Sequence, residues 1–155
     1  MKRVRGFSLI ELMVVMAVLG LLAAAAFPMA EVMLQRERER ELKQALWGIR
    51  GAIDAYKHAY DEGRITRSGP PSGYPSTLEA LVQGAPGAIG GGTRVYFLRR
   101  VPRDPFASAE LPAEATWALR SFDSPPERPA PGADVFDVRS RSDNMALDGT
   151  PLRSW

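Results

Sequence analysis

The sequence predicts an α+β fold: one long N-terminal helix, with a transmembrane half and an amphipathic half, packed on a small antiparallel β-sheet. Three observations carry this reading. From Leu12 to Ala30 there are 19 residues without a charge, close to the ~20 that a helix needs to cross the hydrocarbon core of a bilayer. Leu42, Leu46, Ile49, Ile53, Tyr56 and Tyr60 then recur at steps of three and four, which lines them up as one stripe of a helix. Beyond a Pro- and Gly-rich stretch, three short segments rich in aromatic and β-branched residues alternate with turns.

Composition narrows the function. A chain of 155 residues holds one soluble domain of modest size besides the apolar segment. The net charge of +2 owes three positives to Lys2, Arg3 and Arg5; from residue 7 onward there are 17 basic residues against 18 acidic. A near-neutral remainder gives nucleic-acid binding, which wants a basic face on the folded domain, no support, so no nucleic-acid partner is expected. The absence of cysteine excludes disulfides, thiolate catalysis and cysteine zinc sites. His58, the one histidine, is all that a histidine acid–base scheme or metal centre could use.

Taken in order, residues 1–6 form a basic head ending in Gly6, and residues 7–30 form the apolar segment. A secretory signal has an apolar core of only ~7–15 residues before a small-residue cleavage site. Ala23 to Ala26 imitate such a site, but the run is longer and the helical pattern continues past Pro28. One acid, Glu11, stands at the edge of the run. At the middle of a span an acid costs ~2.5–3.5 kcal/mol on insertion scales, and near an end it can snorkel to the headgroups. Either way its presence calls for a reason.

Residues 31–155 form the domain beyond the apolar segment, beginning with an amphipathic helix over 31–62. Ala45, Ala52, Ala55 and Ala59 widen its stripe, and Gly63 is placed to stop it. Gly48 and Gly51 each cost up to about 1 kcal/mol against alanine, which marks close packing or a soft spot. One rod over residues 7–62 would be about 84 Å long, of which a span takes ~30 Å. The charge run Arg36 to Lys43 (RERERELK) reads as a solvated face, or as a strip that pairs with neighbouring chains.

Residues 63–92 hold loops and a short helix. Residues 64–76 are a Pro-, Gly- and Ser-rich loop. Ser76 and Glu79 stand at capping-box spacing ahead of Leu78, Leu81 and Val82. Gly84 to Gly92 form a glycine-rich loop without the Lys-Ser/Thr ending of a phosphate loop, so no nucleotide site is expected. Residues 93–155 carry three expected strands, Arg94 to Leu98, Thr116 to Phe122 and Asp134 to Val138, and then a C-terminal loop. Asp148-Gly149 signals a turn, and burial favours Trp155 folding back onto the core. Ser140, Ser142, Asp143, Asn144 and Asp148 offer hard oxygens in this loop. The calcium-loop template is not met, because Met145 and Leu147 occupy ligand positions; turns closed by Asp and Asn explain such residues more often.

The stretch Gly6-Phe7-Ser8-Leu9-Ile10-Glu11 closely resembles the processing site of type IV pilins and type II secretion pseudopilins. The resemblance implies cleavage after Gly6 by a prepilin peptidase, N-methylation of Phe7, and a filament in which the Phe7 amine pairs with Glu11 of a neighbour. Pro28 also falls where the family often has a helix-kinking proline. Arg103-Asp104-Pro105-Phe106 resembles the Asp-Pro-aromatic turn of many major pseudopilins, and Leu147 to Pro151 before Trp155 resembles the end of many such chains.

The same resemblance implies a pilin-like structural subunit, not an enzyme. It would sit once across a bacterial inner membrane with a cytoplasmic head and a periplasmic domain; charge alone leaves that topology undecided, since Arg36, Arg38, Arg40 and Lys43 lie just beyond the span. Its implied partners are membrane lipid, the prepilin peptidase, an inner-membrane assembly platform, other pseudopilins and further copies of itself. The family's calcium site in the C-terminal loop points to Asp143 and Asp148, although the acid spacing here departs from the family's. The secretion branch is favoured over a DNA-uptake pilus by the near-neutral charge, the Asp-Pro-Phe turn and the tail. The alternative is a periplasmic enzyme or binding domain on a membrane anchor. Its candidate acids are Asp104, Asp137, Asp143 and Asp148, with no nucleophile, base and orienting group marked together.

Overall fold

A computed structural model describes residues 8–88 and 92–155, without the side chains of residues 25–28. Helix α1 is continuous from Leu9 to Asp61. The chain divides into two compact units, Met1–Glu37 and Arg38–Trp155. In the first, every large hydrophobic side chain from Leu9 to Leu22 is exposed.

In the second unit α1 buries the stripe that the periodicity predicts. Leu42, Leu46, Ile49 and Ile53 are fully enclosed, Tyr56 is buried, and Tyr60 packs against the cluster. Ala45, Ala52 and Ala59 join the core, whereas Ala55 is exposed. At 3.6 residues per turn Ala55 lies about 140° from the centre of the stripe, too far round to reach the core. Gly63, with φ of 67°, ends the helix. The Gly63 N–H donates to the Tyr60 carbonyl at 3.1 Å and the Arg64 N–H to that of Ala59 at 2.9 Å. This double closure needs a left-handed residue, which glycine supplies at least cost.

Helix α2 spans Leu78–Gln83, and its cap differs from the expected one by one residue. Thr77, not Ser76, accepts the Ala80 N–H at 3.2 Å. Gly84 comes next with φ of 74°, where an added Cβ would lie 2.8 Å from the Val95 carbonyl oxygen.

The expected single sheet is two separate antiparallel ladders. Strands β1 (Ala85–Pro86) and β2 (Arg94–Val95) form one; β3 (Trp117–Arg120) and β4 (Asp137–Ser140) form the other, in register from Trp117↔Ser140 to Arg120↔Asp137. The strand expected over 94–98 stops at Val95, because the Phe97 and Leu98 N–H groups both turn to the Leu81 carbonyl at the end of α2. The last expected strand begins later than predicted, because the Val135 N–H is taken by the Pro75 carbonyl at 2.8 Å.

The core lies between α1, α2, the β3–β4 ladder and the C-terminal turn, around Ile49, Ile53, Leu81, Trp117, Val138 and Leu152. Trp117 is wholly buried, and its indole N–H donates to the Pro102 carbonyl at 2.8 Å. That bond removes the cost of leaving a buried donor unpaired.

Candidate assembly segment and C-terminal loop

Two regions carry the residues that the sequence marks as functional. The first is the start of α1. Gly6 and Phe7 lie outside the described residues. Glu11 sits exposed in the first turn of α1, where the partial positive charge of the helix N-terminus favours a carboxylate. Around it Leu9 is 77% and Ile10 70% exposed. A continuous apolar surface of this length far exceeds the few hundred Å² that soluble monomers tolerate in one patch. It is suited to lipid or to the same segment of other subunits.

The second region is the C-terminal loop, held by short local bonds and by long-range ones. Locally, Asp148 accepts from the Thr150 N–H at 2.9 Å and from its hydroxyl at 2.7 Å. Those bonds hold the Asp148 carboxyl below the usual carboxylate range. The Leu152 N–H reaches the Asn144 carbonyl at 3.0 Å, and the Trp155 indole N–H reaches the Thr150 hydroxyl at 2.9 Å. Trp155 folds back as expected, partly buried against the core, with the Lys43 ammonium 4.3 Å from its ring centre.

At long range, Glu39 of the charge run accepts the Leu147 N–H at 2.8 Å. This residue of the expected solvated face is therefore an anchor for the loop. Arg50, which no sequence motif marks, spans three segments. Its Nε donates to Asp137 Oδ1 at 2.8 Å. Its Nη2 donates to the main-chain oxygens of Val138 and Trp155, each at 2.9 Å. Partners 87 to 105 residues away leave no local signal in the sequence.

The four candidate acids serve four separate purposes. Asp104 is buried in the Asp-Pro-Phe turn, accepting from the Phe106 N–H at 2.8 Å and the Ser140 hydroxyl at 2.6 Å. Asp137 takes Arg50, Asp143 takes Arg153 at 2.9 Å, and Asp148 closes its own turn. Among the described residues no three acidic or histidine side chains gather where a metal could bind. Asp143 and Asp148 each hold a different partner, Arg153 and Thr150. His58 lies exposed beside Glu62, 3.5 Å away.

A further carboxylate, also without a local sequence signal, holds the far side of the domain. Asp134 is buried and accepts from the Ser121 hydroxyl at 2.8 Å, the Phe122 N–H at 2.9 Å, and the Ser72 hydroxyl. Burial pushes its pKa up, but the three donors together outweigh that and hold it below the usual range.

Residues 1–27 match the model of the prokaryotic N-terminal methylation motif. Over 115 residues the chain is 36% identical to the type II secretion system core protein G of Klebsiella pneumoniae, covering 70% of this chain and 73% of that protein. No solved structure matches the chain.

Proposed function

The chain belongs to the type II secretion pseudopilins, the structural subunits of a filament, and from that premise we propose how this subunit is processed and assembled. The observation that carries the proposal is the one acid of the apolar segment. Glu11 stands in the first turn of α1, five residues into the chain that cleavage after Gly6 would leave. A prepilin peptidase cuts there and methylates the new N-terminal Phe7. Before assembly the apolar half of α1 crosses the inner membrane once, with the head in the cytoplasm and the Arg38–Trp155 unit in the periplasm.

On assembly this segment leaves lipid for the core of the filament, where copies of the chain and other pseudopilins surround it. The Phe7 amine of one subunit then pairs with Glu11 of the next and sets the register. Such head-to-tail contacts do not close, so they extend as a fibre. The inner-membrane platform is the partner that drives the transfer. The chain's role is mechanical rather than catalytic, and its candidate acids are each engaged in holding a turn or a loop.

Glu11→Ala tests the pairing. Removing one member of a buried charge pair leaves the other uncompensated, at ~3–5 kcal/mol. The variant should insert and be processed normally, yet its incorporation into filaments should fall by about tenfold or more. Incorporation at the wild-type level would refute the pairing.

A further inference from the structure

The pseudopilin resemblance implies a calcium ion in the C-terminal loop, and four of the five oxygen-bearing side chains offered there, those of Ser140, Ser142, Asp143 and Asp148, already take a protein partner. Asp143 is 84% exposed in its side chain and ion-paired with Arg153. Asp148 is bound to Thr150. The Ser140 hydroxyl donates to Asp104 and accepts the Ser142 N–H, and the Ser142 hydroxyl accepts the Asn144 N–H. The surroundings also oppose a divalent cation. Arg139, Arg141 and Arg153 line the same surface cleft as Asp143, so three positive charges face one negative.

A cation of another kind does occupy a set of hard oxygens nearby. The Arg50 guanidinium is held by one carboxylate oxygen and two main-chain oxygens, the kinds of oxygen that calcium takes in sets of about six to eight. These oxygens belong to β4 and to the last residue of the sequence, while Arg50 belongs to α1. The guanidinium therefore ties the C-terminal segment to the helix, and its planar fork of N–H groups serves three acceptors at once. Its charge also offsets that of Asp137, which stands half-buried against it.

We propose that Arg50 closes the C-terminal loop of this subunit in place of a metal, so that the fold is independent of calcium. The inference rests on the hydrogen bonds of the folded unit and not on the route of assembly, so its failure would leave the filament reading standing.

The test uses the full chain in detergent, unfolded by heat in calcium and in excess chelator, with proteolysis of the tail monitored in parallel. Wild type should give the same midpoint and the same cleavage rate in both. Terbium, a luminescent substitute for calcium, should show no emission sensitised by Trp155. Arg50→Met should lower the midpoint by on the order of 5 °C and expose the tail to protease first, with Arg50→Lys between the two. Should Arg50→Met not fold, the isosteric Asp137→Asn removes the same charge pairing and should give a smaller shift in the same direction. A wild-type midpoint raised by calcium, a sensitised terbium signal, or an Arg50→Met variant as stable as wild type would each overturn the proposal.

Discussion

Asp134 joins three distant parts of the chain through one carboxylate: the loop at Ser72, the end of β3 at Ser121 and Phe122, and the approach to β4. Its depressed pKa sets the sign of a pH effect. The stabilisation is fully present above the unfolded carboxylate value of ~3.9 and is lost as pH falls through the lower folded value. Asp134→Asn should therefore lower stability near neutral pH and flatten the loss of stability on going to about pH 3. Urea midpoints at both pH values check this, and an unchanged pH slope would contradict it. Nothing in the sequence points to Asp134 or to Arg50. Each is one charged residue among many, and what distinguishes it is partners far along the chain.

The elements differ in how legible they are in the sequence. The stripe of α1 is legible because a helix repeats its contacts every three or four residues, so burial leaves a periodic trace. The apolar segment is legible for the same local reason, and the Gly6 to Glu11 motif sits within six residues. The strands are only partly legible. β1 is two residues, one of them Pro86, and no period fits so short a strand. The limits of β2 depend on N–H groups that turn to α2 instead of to a strand.

At Gly48 and Gly51 an added Cβ meets no atom of another segment within 4 Å among the described residues, so neither glycine serves close packing there within the subunit. Beside them Trp47 is 80% exposed, on the side of α1 turned away from the core. Gly48→Ala should therefore stabilise the folded chain by about 0.5–1 kcal/mol, by the gain in helix propensity; thermal unfolding checks this, and an unchanged or lowered midpoint would contradict it.

At the scale of the whole molecule, the division at Glu37 separates two kinds of surface. Among the described residues of the first unit every large hydrophobic side chain faces outward. The second encloses its own core and fastens its C-terminal loop to α1 through Glu39 and Arg50. The proposed move from membrane to filament needs this division, because the apolar segment would exchange one apolar environment for another while the domain it carries stays folded. The mass of the mature chain isolated from cells that assemble the filament tests this account most directly. A chain beginning at N-methylated Phe7 is the predicted result; an intact Met1, or a chain beginning after Ala26, would contradict it.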